Sequence, residues 1–419
     1  MRSGARGSNT WKPGVIAALV LILLGLLMSA CGSSGGGETS SAETGSSEEA
    51  SSGEPIVVGA PIALTGWNAA YDGPPWAAFK LAAEKVNEEG GINGRELTFI
   101  ERDMRSDTAQ AASTANSVID EGAELLLVPC DPDLGAPGAL VGQERGVLTF
   151  SLCEASTKAV GPQAIGGLTY TPSQAAYLEG YVMAEFGMEK KNADTAFVIQ
   201  DTEGTYNLDV CKGFENHYPD IGGEIVGLDK VKNEDKSIPS TITNIKNANP
   251  DAIFICSFPP GAASWIRQIR AAGLDQPILS DMAMDGTYWL NAVPNLSEFF
   301  YPSAASIFGD DPNPKVNEFV EAFTEAEGER PETAYALFGA SILELFETAV
   351  ERAGGTTEGQ ALADELDQFS EVPTLVGATT YTPDFHIVLD RPMLIMQIQN
   401  GKPSYLETWE VEKAPGLSG

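Results

Sequence analysis

The sequence predicts an α/β protein built as two lobes, each a parallel sheet covered by helices. Three features predict it: residues 55–419 are more than one core usually serves, short apolar runs alternate with amphipathic stretches, and that rhythm restarts after residue 171.

In the first lobe, residues 56–64 (IVVGAPIAL) read as a buried strand and residues 76–89 (WAAFKLAAEKVNEE) as a helix with one apolar face, stopped by the glycines of GGINGR. A second strand follows at 96–103, then the helix DTAQAASTANSVIDEG, capped by Asp107, and a third strand at 123–130. A short helical piece near 138–144 leads to the strand GVLTFSL. The second lobe begins with a helix at 174–187, strand TAFVIQD, helix YNLDVCKGFENHY and strand GEIVGLD. Helix IPSTITNIKNA, with Pro239 in its first turn, strand DAIFICSF, helix 261–273 and strand PILS extend it. Two long helices come next, NPKVNEFVEAFTEAEG and ETAYALFGASILELFETAVERAG. The chain then turns to β structure, RPMLIMQIQNGKPSYLETWEV, read as a hairpin with Asn400-Gly401 at its turn.

The N-terminus is organised differently. Arg2, Arg6 and Lys12 precede an apolar run from Val15 to Met28, shorter than the roughly 20 residues a membrane-spanning helix needs, and Ser29-Ala30 follow it. This order reads as an export signal over residues 1–30. The stretch MSAC at 28–31 resembles a bacterial lipobox, which implies that Cys31 is acylated and tied to the outer face of a cell membrane. Residues 31–54 are nearly all Gly, Ser, Thr, Ala and Glu; they offer nothing to offset the entropy of ordering and read as a flexible linker.

The formal net charge is -34, and -37 once Arg2, Arg6 and Lys12 are removed, since residues 1–30 contain no Asp or Glu. Such a surface repels phosphates, which argues against nucleic acid as a partner. Beyond Cys31 there are Cys130, Cys153, Cys211 and Cys256, an even number that in an exported chain implies two disulfides, with three pairings open. None forms a C-x-x-C motif, so no metal is expected. His217 and His386 are the only histidines, and no G-x-S-x-G elbow, H-E-x-x-H pair or phosphate loop occurs. Neither catalysis nor a cofactor is expected. The loops that would follow the strands, LTGWNAAYDGPP, PCDPDLGAPG, SLCEAST, QDTEGTYN, SFPPGAAS and SDMAMDGTYW, mix aromatics, small hydroxyls and acids. That mixture suits a small polar ligand held in a cleft between lobes.

Four stretches, PIALTG, LAAEKVNEEGGINGRELTFIERDMRSDTAQAASTANSVIDEGAELLLVP, NPDAIFICSFPPGAASWIRQIRAAGL and YTPDFH with RPMLIMQIQNG, are similar to the leucine/isoleucine/valine-type periplasmic binding proteins of ABC importers. The resemblance runs over roughly residues 56–409. It implies the type 1 periplasmic binding protein fold, two Rossmann-like lobes joined by three hinge crossings near Thr171, Pro302 and Tyr381–Phe385. Lobe 1 is then 55–171 plus 303–382, and lobe 2 is 172–302 plus 383–412. It further implies a monomer that captures a small molecule, foremost a branched-chain amino acid, and delivers it to a membrane permease. The alternatives are the same fold binding another small carboxylate, amide or amine, or a ligand-sensing receptor subunit.

By the same resemblance, Ala155 and Ser156 stand for the pair that holds an amino-acid carboxylate, and Asp131 lies in the other loop serving that end. Trp67, Tyr71, Tyr206 and Phe258 supply aromatic walls. Met282 stands where the family acid would meet the ammonium, so Asp281 or Asp285 is expected to substitute. If acids of CDPDLG and SLCEAST point inward, Asp131 and Glu154 favour a cationic ligand. Cys130 is expected to pair with Cys153 in the first lobe and Cys211 with Cys256 in the second.

Overall fold

The structure is a computed structural model, described here for residues 53–411; the expected export signal, acylated Cys31 and the linker up to residue 52 lie outside the described residues. Its first sheet is all parallel: each of its first three strands is followed by a helix that carries the chain back, and residues 152–168 make the last crossover without one. Strands β1 (Ile56–Ile62), β2 (Leu97–Asp103), β3 (Leu125–Val128), β4 (Leu148–Ser151) and β5 (Thr169–Tyr170) lie in the order 2-1-3-4-5. Helices α1 (Ala69–Glu88), α2 (Thr108–Asp120) and α3 (Pro132–Arg145) connect them. β3 and β4 are buried along their whole length, as strands covered on both faces must be.

The second sheet takes in α4 (Ala176–Lys191), β6 (Thr195–Asp201), α5 (Thr205–Asp220), β7 (Glu224–Val231), α6 (Pro239–Ala248), β8 (Ala252–Cys256), α7 (Gly261–Ala271), β9 (Ile278–Leu279) and β10 (Phe299–Ser303). The chain then returns to the first core with α8 (Pro314–Glu327), α9 (Ala336–Arg352) and α10 (Gly359–Leu366), and adds a small ribbon, β11 (Val372–Thr374) and β12 (Gly377–Thr379). It ends with β13 (Met393–Gln399) and β14 (Lys402–Trp409) on the edge of the second sheet, whose order is 14-13-10-9-8-6-7. This sheet is mixed rather than parallel throughout: β13 is antiparallel to both β10 and β14. The cause is the terminal hairpin, whose turn residues Asn400 and Gly401 sit at φ 53° and 71°, the left-handed pair a two-residue hairpin turn demands.

Three elements differ from the sequence expectation. α1 begins at Ala69 rather than 76, running through Gly73, Pro74 and Pro75, and α3 begins at Pro132, six residues before the expected piece. In α3 Pro132 takes the first helical position and Asp131 caps it, so the proline that seemed to end a loop starts a helix. α10, β11 and β12 are too short and too weakly periodic to be read in advance.

Close helix contacts rest on glycine. A Cβ on Gly339 of α9 would stand 1.8 Å from the Pro75 carbonyl oxygen of α1, and one on Gly213 of α5 would stand 2.1 Å from the Tyr177 oxygen of α4. The disulfides join Cys130 to Cys153 and Cys211 to Cys256, with Cα atoms 4.5 and 5.6 Å apart, the pairing within each lobe that was expected. The first links the ends of neighbouring strands; the second pins α5 to β8.

The chain leaves the first sheet through residues 171–175, and residues 381–391 run beside this segment. Thr171 N–H donates to the His386 carbonyl (3.0 Å), Val388 N–H to that of Ser173 (3.0 Å), and Arg391 Nη2 to that of Pro172 (2.8 Å). The two connections are thus hydrogen-bonded to each other between the cores.

Candidate functional site

The carboxyl ends of the parallel strands of both sheets face one cleft, and the loops there are held by local polar contacts. Asp103, ending β2, accepts the N–H groups of Leu64 and Thr65 (3.0 and 3.2 Å) and the Thr65 hydroxyl (2.7 Å). Gly66 makes the turn at φ 93°, close over Ser106, and Trp67 projects from it, 48% exposed. Across the cleft, Asn233 Nδ2 donates to the Phe258 carbonyl (2.7 Å), and Phe258 stacks on Trp67 with ring centroids 5.6 Å apart. The two lobes therefore touch through an aromatic pair.

Beneath this pair lies a cavity of about 560 Å³, open solvent at its mouth included. From the first core it is lined by Trp67, Asn68 and Tyr71, by Cys130, Asp131 and Pro132, by Cys153 and Ala155, and by Tyr335 just before α9. The second core contributes Ser173, Glu179 of α4, Gly204, Tyr206 and Asn207 at the start of α5, Phe258, Met282 and Ala283. The Cys130–Cys153 disulfide is part of the floor. None of these residues is Lys, Arg or His.

Glu179 is the acid of the apolar wall. Its Oε2 accepts the Tyr206 hydroxyl (2.7 Å) and the Met282 N–H (2.8 Å); burial pushes its carboxyl up to about 7 against these two donors. Burial and neighbouring Asp133 raise Asp131 to about 6, although the Leu134 and Asp133 N–H groups of α3 bond its Oδ1. Tyr71 donates to the Ala283 carbonyl (3.3 Å) and meets Tyr335 edge to face at 5.6 Å.

The profile of the family described as periplasmic binding protein matches residues 55–403. The chain belongs to the periplasmic binding protein family. A relative, the Leu/Ile/Val-binding protein homolog 3 of Brucella melitensis, is 23% identical over 331 residues, which is 78% of this chain and 87% of that protein. Among solved structures, the branched-chain amino acid transporter substrate binding protein LivJ of Streptococcus pneumoniae, in complex with isoleucine, superposes with a TM-score of 0.76 at 22% identity, covering 85% of this chain and 99% of LivJ. A solute binding protein of an ABC transporter from R. palustris, in complex with 4-hydroxybenzoate, superposes with a TM-score of 0.75 at 16% identity, covering 87% and 99%. The fold is therefore shared by proteins holding quite different solutes. This periplasmic binding protein is a solute-binding protein and not an enzyme.

Within it, the structure brings Trp67, Tyr71, Asp131, Ala155, Tyr206 and Phe258 to one cavity. It does not bring Ser156, Asp281 or Asp285 to the wall. Ser156 donates its hydroxyl to Asp209 of α5 (2.6 Å), across the cleft. Asp281 is buried behind Met282, caps the Ala283 N–H, and is held well above the usual carboxylate range, by burial first and by Glu179 second. Asp285 accepts the Tyr301 hydroxyl and the Ala334 N–H, fixing the loop before α9. Asp285 thus links Tyr301 of β10 to the loop before α9, and neither aspartate is part of the cavity lining. Glu154 also faces inward to the protein, accepting the Ser156 N–H (2.5 Å).

Sequence reasoning missed Glu179, Asn68, Asn207 and Tyr335. Glu179 had a signal: with Glu185 it is one of two acids among the apolar residues of a helix buried over most of its length. The two histidines lie elsewhere, His217 against Glu185 (2.8 Å) and His386 stacked on Tyr170 (3.8 Å). Among the described residues, no cluster of three or more potential ligands is placed to hold a metal ion, and no helix is long and apolar enough to cross a membrane.

Proposed function

We propose that this protein is the extracytoplasmic capture component of an ABC importer, tied to the membrane through Cys31, which encloses a small solute bearing an ammonium group and passes it to a permease. The observation that carries the reading is Glu179, a buried acid inside an aromatic cavity lined by both lobes. A solute there touches both cores at once, so binding favours the closed arrangement. The relatives' names support amino acids of branched-chain type, which belong to this ammonium class. The lipobox-like MSAC and the linker support anchoring.

Differential scanning fluorimetry of the full chain in detergent, against amino acids, amines, amides and aromatic acids, tests the capture role. A solute at ~100 times its dissociation constant stabilises by about 2.7 kcal/mol, a shift of degrees. No response to any class would overturn it. Cys31→Ser is expected to abolish lipid incorporation and release the protein from the membrane fraction.

A further inference from the structure

Resting on that solute-capture reading, we infer that the cavity selects a small organic ammonium that carries no carboxylate. The groups that ordinarily receive an anion at the ends of parallel strands are backbone N–H groups and helix N-termini. At the ends of β1, β3 and β4 the protein's own carboxylates hold several of them, whereas α1, α4 and α5 begin without a side-chain cap. Buried Asp72 accepts the N–H of Ala63 beyond β1 and of Cys130 beyond β3, both at 2.8 Å. Buried Glu154 accepts the Ser156 N–H after β4 and draws on that of Ala155 as well. Asp131 caps the first free N–H groups of α3. The Ser156 hydroxyl is committed to Asp209.

A ligand carboxylate entering this end would meet Asp131 directly, with Asp72 and Glu154 behind it and no basic side chain in the wall. The remaining polar features suit the opposite charge. Glu179 is 4% exposed, and Asn207, 1% exposed, presents an Oδ1 with no hydrogen-bond partner among the described residues. Both are acceptors for an N–H donor. The aromatic rings add faces that attract a desolvated cation.

The test compares an amine with its carboxylated counterpart and adds a quaternary ammonium, which has no N–H and reads the charge and the aromatic faces alone. Calorimetric titration of the full chain with 3-methylbutylamine, with leucine, its carboxylated counterpart, and with choline is expected to give the two ammonium compounds at least tenfold tighter binding than leucine. Glu179→Gln, and separately Asp131→Asn as a variant less exposed to folding failure, should each weaken amine binding severalfold or more. Leucine binding as tightly as 3-methylbutylamine would overturn the inference while leaving the capture role intact. So would silence from both ammonium compounds alongside a response to another solute. Silence from every solute class would overturn both.

Discussion

At the scale of single residues, the site proposed to take a cation holds its carboxyl groups in apolar surroundings. Glu179 (about 7) and Asp131 (about 6) are raised by burial, so both are partly protonated near neutrality. Glu179 faces the Tyr206 hydroxyl, the Met282 N–H, Asp281 and Tyr335, none of them cationic. Binding of choline, whose own charge does not change with pH, is therefore expected to tighten between pH 5 and pH 8 and to release protons, measured by calorimetry in two buffers. The unliganded protein should show the reverse trend in stability. Asp72 sits at about 7 against an ordinary 3.8, so the folded state binds that proton more tightly than the unfolded chain. The resulting stabilisation is complete below about pH 4 and is lost as pH rises through 7. A melting temperature that climbs from pH 5 to pH 8 without ligand would contradict this assignment. Trp67→Ala removes an exposed half of an aromatic pair worth about 0.5–1.5 kcal/mol, and should weaken ligand binding up to about tenfold with little change in melting temperature. Trp67, Tyr71, Tyr206 and Phe258 were expected as wall residues from the family resemblance, within the loops that follow strands. Tyr335 was not, since its stretch reads as helix from residue 332 whereas α9 starts at Ala336, leaving the ring free to turn into the cleft.

At the scale of elements, periodicity found the long helices and buried strands but misplaced starts at prolines, where the same residue can end a loop or open a helix. α1 and α3 are the cases, and both matter because their first turns carry Tyr71 and the Asp131 cap. Contacts between distant elements leave no local trace, which is why the α1–α9 approach was invisible in the sequence although Gly339 makes it possible. Gly339→Ala forces a methyl against the Pro75 carbonyl and is expected to cost about 1–3 kcal/mol, read as a lower denaturation midpoint. The disulfides close segments of 23 and 45 residues, for which chain entropy suggests about 3–4 kcal/mol each. Replacing Cys211 and Cys256 with alanine should lower stability by that order and leave the cavity lining in place. The first disulfide should behave differently. Replacing Cys130 and Cys153 should also reduce ligand affinity, because their sulfurs are part of the wall.

At the scale of the whole molecule, the alternation of strand and helix was enough to infer two lobes and a cleft, and the antiparallel edge of the second sheet followed from the Asn-Gly hairpin. What joins the lobes in the closed arrangement was not readable: Asp209 of α5 accepts the Ser156 hydroxyl and the Lys158 ammonium from the opposite side. Asp209→Ala is expected to favour the open arrangement, raising the ligand dissociation rate severalfold in stopped-flow fluorescence and enlarging the radius of gyration in solution scattering. An unchanged rate would show that the aromatic pair alone sets closure. The Cys130–Cys153 crosslink carries a consequence for where the protein is competent. Reducing compartments keep such thiols apart, so on the proposed export of this chain the cavity floor would be completed only once the protein reaches an oxidising exterior.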